Sequence, residues 1–174
     1  MKKNLTAKIK KIKLIALDVD GVLTNSQIIL NHNGEETKIF NVQDGFGLVI
    51  FKKLGYQTAI ISARSAAAVT HRANDLKIDK IYQDAYPKVQ AYEQLLKDFS
   101  VKENEVCFMG DDLPDLSILE RVGLAVAVPN ALKEVKEAAD YITKKHGGEG
   151  AVREVVELIL KGQGKWNEVI RFFL

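Results

Sequence analysis

Asp18-Val19-Asp20 closes a short apolar run and is followed at once by Gly21. In an extended backbone residues i and i+2 point the same way, so the two carboxylates converge on one spot. Two carboxylates that close repel unless a cation lies between them or one is protonated. Alone, the motif reads more readily as a pair of turn-capping aspartates. A second acidic group, Gly110-Asp111-Asp112-Leu113-Pro114-Asp115, follows the apolar run 106–109. Pro114 suits a first helical turn and Asp112 an N-cap. Capping needs one aspartate, however, and three are present. Five aspartates at the ends of two strands form a hard-oxygen cluster suited to Mg²⁺.

Two further residues stand where a phosphate would need them. Ser62 follows the run 57–61 and offers a hydroxyl, with backbone N–H groups near a helix start, a natural anion site. Lys88, directly after Pro87, opens the next helical stretch and could reach the same crevice as a point charge. Each has a plain alternative: Ser62 as a helix N-cap, Lys88 as a solvated surface lysine. Their weight comes from recurrence, because acid, hydroxyl, lysine and acid fall at four successive strand ends.

The elements that must position these residues follow from hydrophobic pattern. Short apolar runs at 12–17, 57–61, 80–82, 106–109, 124–128 and 141–142 alternate with helix-like stretches near 45–54, 65–76, 88–99, 112–121, 131–138 and 150–161. Several runs are apolar almost without alternation, as expected of strands covered on both faces of a parallel sheet. The rhythm predicts a doubly wound α/β sheet, with ligands bound at the carboxyl ends of its strands. One segment breaks the rhythm. Extended runs at 27–30 and 37–42 flank Asn31-His32-Asn33-Gly34, a hairpin signal directly after the first strand.

At 174 residues the chain is long enough for one domain with a core of its own. We read 1–174 as that domain, with a basic tail at 1–10, an inserted hairpin at 25–43, and a glycine-rich segment and C-terminal helix at 146–174. Six of the 25 basic groups lie in the first 13 residues with no acid among them, leaving 19 basic against 23 acidic groups elsewhere. A basic end on a mildly acidic body, with no aromatic-interleaved basic patch, predicts a solvated tail and no nucleic-acid partner. The run 14–17 stops at Asp18, far short of the roughly 7 apolar residues of a secretory core or the about 20 of a membrane span. With a single cysteine, Cys107, this predicts a cytoplasmic protein that does not enter membranes.

The order Asp-X-Asp-Gly, Ser, Lys, Gly-Asp-Asp-X-X-Asp resembles the four motifs of the haloacid dehalogenase superfamily of phosphotransferases. Phe40-Asn41-Val42-Gln43-Asp44-Gly45-Phe46-Gly47, Gly147-Gly148-Glu149-Gly150-Ala151-Val152-Arg153-Glu154 and Gln163-Gly164-Lys165 resemble, within it, the 3-deoxy-D-manno-octulosonate 8-phosphate phosphatase family, over about residues 10–168. The resemblance implies a core without a cap domain and a Mg²⁺-dependent phosphatase of lipopolysaccharide precursor synthesis. Asp18 would attack phosphorus and Asp20 would serve as general acid and then general base. The Asp18 carboxylate, the Asp20 main-chain carbonyl and the Asp111 carboxylate would hold the ion. Asp112 and Asp115 would orient water and Lys88, while Ser62 and Lys88 would hold the transferring phosphoryl group.

Arg64 is the candidate for a substrate carboxylate, which guanidinium matches bidentately. Gly148 and Arg153 are placed on the substrate side, although Arg153 could equally pair with Glu157 at i+4. The family's arrangement implies a homotetramer with hairpins packed together and a neighbour covering each site, residues 147–150 giving the C-terminal segment its freedom to reach across. Alternatives are a phosphatase for the nine-carbon sugar acid phosphate and a non-enzymatic phospho-acceptor module. Two departures stand out: Ser62-Ala63-Arg64 replaces the usual Thr-Gly-Arg, and Gln43 stands where arginine is common.

Overall fold

The computed structural model describes residues 3–174; Lys2, counted in the basic segment, lies outside them. The first described residues form a helix, α1 (Lys3–Ile9), where a solvated tail was expected. Seven residues cannot hold a helix in water unaided; packing holds this one. Ile9 and Ile12 are fully buried, and Lys8 pairs with Asp140 at 2.6 Å. The Gln163 side-chain amide donates to the carbonyls of Ile9 and Ile12 at 2.8 and 2.9 Å. Lys10 and Lys11 remain exposed.

The chain enters the sheet through β1 (Leu14–Leu17), every residue of which is buried. It leaves into a hairpin of β2 (Ile29–Leu30) and β3 (Glu36–Thr37), antiparallel with Leu30 opposite Glu36. The Asn31 side-chain oxygen accepts from the N–H groups of Asn33 and Glu35 at 2.9 and 3.0 Å and shapes the turn. The second strand is shorter than the 37–42 expected. Asn41 instead caps α2 (Val42–Lys53), its side chain accepting from Gln43 N–H at 2.7 Å, so Val42 is already helical.

Strands and helices then alternate: β4 (Gln57–Ile61), α3 (Ala67–Asp75), β5 (Lys80–Tyr82), α4 (Lys88–Phe99), β6 (Val106–Gly110), α5 (Leu116–Leu119), β7 (Leu124–Ala127), α6 (Lys133–Ala138) and β8 (Tyr141–Ile142). The helical stretch expected at 112–121 divides into a 3₁₀ turn, Leu113–Asp115, and the single turn of α5. The sheet order is β5-β4-β1-β6-β7-β8, and every pairing is parallel. The two halves of the sheet therefore diverge between β1 and β6, the switch point where α/β sheets open a crevice. Register sets what meets there. Leu17 lies beside both Ile60 and Met109, so the residues just beyond three strands emerge along one edge. Among the described residues, no helix is long and apolar enough to cross a membrane.

The chain ends in α7 (Ala151–Gly162), which buries Val152, Val155, Val156, Ile159 and Leu160, and in the short α8 (Trp166–Arg171). Helix α7 packs on α2 and α1. Buried Asp44, near the start of α2, accepts from Gly150 N–H at 3.1 Å and Arg153 N–H at 2.8 Å and so caps α7 from outside it. Burial pushes the Asp44 carboxyl upward, against the pull of those N–H donors.

If α1 is part of the core, Ile9→Ala should lower unfolding free energy in urea by about 2–4 kcal/mol. A loss below about 0.5 kcal/mol would mean that the segment is a loose appendage.

Candidate active site

The loop after β1 turns back sharply on itself. The N–H groups of Val22, Leu23 and Thr24 all donate to the Val19 carbonyl, and the Thr24 hydroxyl donates to it as well, at 3.3 Å. Gly21 makes the reversal with φ +97°, and a Cβ there would lie 1.9 Å from Asp111 Oδ2. The loops carrying Asp18 and Asp111 thus touch, and glycine is required where they do.

Between them is a cavity of about 270 Å³ whose lining includes Asp18, Asp20, Ser62, Arg64, Lys88 and Asp111. Lys88, the first residue of α4, is 3% exposed rather than solvated. Its Nζ lies 2.8 Å from Asp18 Oδ1 and 2.6 Å from Asp115 Oδ1. The other Asp115 oxygen accepts from the N–H groups of Asp111 and Asp112 at 2.9 and 3.2 Å. Asp115 is therefore fully engaged in shaping the loop and holding Lys88. Exposed Asp112 caps its own turn by accepting from Leu113 N–H at 2.8 Å. The Ser62 hydroxyl accepts from Arg64 N–H at 3.2 Å, leaving its proton free to donate. Ser62 is not a helix cap: α3 begins five residues later and its N-cap position is Ala66. The Ser62 N–H is also taken, by Tyr82 O at 2.8 Å.

Carboxylate oxygens of Asp18, Asp111 and Asp115 all lie within 4.8 Å of one another. One ammonium cannot neutralise three carboxylates. Burial, then the charge of Asp115, push the Asp18 carboxyl up to about 6 despite the opposing pull of Lys88. Burial, then Asp18, Asp115 and Asp112, push Asp111 up to about 8. Burial works against the charge on Lys88, but Asp18 and Asp115 outweigh it and hold the ammonium above its ordinary range. Asp111 Oδ1 is buried with no hydrogen-bond partner. An orphaned anionic oxygen beside a second crowded carboxylate is the donor set of a small hard cation. Asp18 and Asp111 can hold one; Asp115 has no oxygen to spare.

Sequence reasoning missed the hairpin's contribution. Lys38 pairs with Asp20 and, at 2.7 Å, with Glu36, and its side chain is 1% exposed. Glu36 in turn accepts from Arg64 Nη2 at 2.9 Å. One chain of charges thus runs from Asp20 through the hairpin to Arg64.

Gly148 and Arg153 are not brought to the cavity. Arg153 Nε donates to Glu157 at 2.8 Å, and its guanidinium lies against the rings of Phe46 and Trp166 at 5.8 and 5.6 Å. The local i+4 pair satisfies the charge where it stands. Gly148 borders the Asp18 loop from behind: its N–H donates to Val22 O at 3.0 Å, and a Cβ would sit 2.8 Å from the Thr24 carbonyl carbon. Residues 147–150 are consequently no free hinge. A Cβ on Gly147 would lie 1.7 Å from Gly21 O, so these glycines serve close approach of one backbone to another.

Residues 78–155 match the haloacid dehalogenase-like hydrolase family. The chain is 42% identical to 3-deoxy-D-manno-octulosonate 8-phosphate phosphatase of Escherichia coli strain K12 over 165 residues, covering 95% of this chain and 88% of that one. It belongs to that phosphatase family. The crystal structure of the Moraxella catarrhalis phosphatase with magnesium, phosphate and KDO is 44% identical, with a TM-score of 0.96 and all of both chains covered. The cobalt-bound phosphatase of Haemophilus influenzae is 37% identical, with a TM-score of 0.88 over 91% of this chain and 92% of that one.

Crowding in the phosphatase site has a measurable sign. Aspartate titrates near 3.8 when unperturbed, whereas folded Asp111 keeps its proton up to about 8. The metal-free fold therefore loses stability as pH climbs from about 4 towards 8. Asp111→Asn, which cannot ionise, escapes that loss. In EDTA, its stability relative to the parent should rise by roughly 1–3 kcal/mol between pH 5 and pH 8, a figure already reduced for partial exposure. An equal difference at the two pH values would contradict the crowding.

Proposed function

We propose that this protein is a Mg²⁺-dependent phosphomonoesterase that hydrolyses 3-deoxy-D-manno-octulosonate 8-phosphate to the free sugar acid and phosphate, a cytoplasmic step of lipopolysaccharide precursor synthesis. The observation that carries the reading is the cluster of buried Asp18 and Lys88 with half-buried Asp111 at the switch point of the sheet, in a chain of that family. The single cysteine, Cys107, is free and buried, which supports a reducing compartment.

The Asp18 and Asp111 carboxylates and the main-chain carbonyl of Asp20 would hold Mg²⁺, which when bound offsets the repulsion between a carboxylate and a phosphate dianion. Asp18 attacks phosphorus; the bond from phosphorus to the sugar oxygen breaks, leaving an aspartyl-phosphate. Asp20 gives the departing oxygen its proton and recovers one from the water that then cleaves the intermediate. The Lys88 ammonium and the Ser62 hydroxyl bind the phosphoryl oxygens and offset the charge that builds on them. Asp115 aims Lys88 from the far side, and Asp112 orients water at the cavity mouth.

Arg64 recognises the sugar-acid carboxylate. Its side chain is 44% exposed and its guanidinium is held by Glu36 at 2.9 Å, so it is both available and pre-aimed. No cap domain encloses the substrate, and closure falls to a homotetramer in which hairpins pack together. An apolar surface supports that assembly: Ile28, Leu30 and Ile39 of the hairpin segment and Val42 at the start of α2 are 53%, 59%, 64% and 79% exposed, more than a surface in water should leave uncovered.

Two substitutions test the reading in a phosphate-release assay. Asp18→Asn should lower kcat by at least about 10³-fold; retained activity removes the nucleophile. Arg64→Glu should raise KM for the octulosonate phosphate by about tenfold or more while leaving KM for p-nitrophenyl phosphate within about twofold. Equal effects on both substrates would refute the carboxylate role. Preference for the nine-carbon sugar acid phosphate would reassign the substrate.

A further inference from the structure

The turn at 128–132, between β7 and α6, touches both loops that carry the carboxylate pair, yet its polar residue, Asn130, does not line the cavity. The Asn130 side-chain amide donates to the Gly21 carbonyl at 3.0 Å, and its oxygen accepts from Gly147 N–H at 2.9 Å. Two residues further along the same turn, Leu132 N–H donates to the Asp111 carbonyl at 2.9 Å. One short turn therefore grips the Asp18–Thr24 loop with one hand and the Asp111 loop with the other.

The distance between those loops has no slack. At Gly21 even a methyl group would collide with the Asp111 carboxylate. On the other side, Gly147 presses on the Gly21 carbonyl, held there by the same Asn130. Mg²⁺ accepts oxygen ligands only near 2.0–2.1 Å in octahedral directions, so a shift of a few tenths of an ångström between two ligand-bearing loops is felt directly in affinity. Groups that orient ligands without touching the metal typically govern about 10–100-fold of that affinity.

We propose that Asn130 is a positioning residue that sets the spacing of Asp18 and Asp111 and thereby the affinity of the site for its divalent cation. It touches neither cation nor substrate; it acts through the Gly21 carbonyl. The inference rests on the reading of Asp18 and Asp111 as the ion's ligands. Asn130 is itself exposed, so shortening it leaves no cavity, and water can satisfy what it releases.

The test is calorimetric titration of the metal-free, full-length protein with Mg²⁺ in the absence of substrate, alongside thermal unfolding in EDTA. Asn130→Ala should raise the Mg²⁺ dissociation constant about tenfold and shift the metal-free Tm by no more than a few degrees. Asn130→Asp keeps the acceptor for Gly147 and loses the donor to Gly21. Its added negative charge would by itself tighten cation binding, so weaker binding in this variant reads the lost bond. It also remains informative should the alanine variant fold poorly. Lys136→Ala removes a 3.3 Å bond to Pro129 O in the same turn without touching either loop and should leave Mg²⁺ binding unchanged. Asn130→Ala, or the neutral Asn130→Ser should the alanine variant fold poorly, binding within about twofold of the parent or more tightly overturns the proposal. A parent that binds no Mg²⁺, or binds it equally after Asp111→Asn, overturns the ligand reading and the positioning role with it. Parent binding with unchanged Asn130 variants overturns the positioning role alone.

Discussion

Three carboxylates share one ammonium where the sheet divides between β1 and β6. Lys88 reaches Asp18 and Asp115 but cannot balance both and Asp111 as well. Left alone, the cluster retains protons: burial first, and then mutual repulsion, drives Asp18 and Asp111 above the ordinary carboxylate range. A divalent cation held there would relieve the same repulsion and leave Asp18 ionised, the form in which a carboxylate can attack. The site is unfavourable in isolation and favourable once loaded, and the rest of the architecture keeps it from relaxing.

That restraint is distributed. Parallel register brings the residues after Leu17, Ile61 and Met109 to one edge. Asp115 spends both oxygens on Lys88 and on the N–H groups of its own loop, and so fixes the charge it also burdens. Glycines let backbone replace side chain where loops meet: Gly21 against Asp111, Gly147 against Gly21. The hairpin adds the Asp20–Lys38–Glu36–Arg64 chain, which connects the carboxylate proposed to transfer protons to the guanidinium proposed to receive a substrate acid.

The aspartate pair and the Asp111 loop were legible because their logic is local: period-two geometry, apolar runs ending in acid, and the rule that such ends line a crevice. Lys38 and Glu36 were not, since a lysine and a glutamate in an exposed hairpin look solvated until the hairpin folds back on the cavity. The N-terminal helix is masked by its charge, although Leu5, Ile9 and Ile12 have the i, i+4, i+7 spacing of a packed face. Glycines 147–150 were read as a hinge because glycine serves freedom and close contact alike, and only the position of Asn130 and Gly21 tells them apart. Arg153 had a local partner in Glu157, and the local partner won.

Crystals soaked in Mn²⁺ in place of Mg²⁺ test the central claim most directly, because anomalous scattering locates the ion without reference to activity. One ion should appear within roughly 2.0–2.6 Å of a carboxylate oxygen of Asp18 and of one from Asp111. An ion held by neither residue, or a vacant cleft at saturating Mn²⁺, would contradict the account.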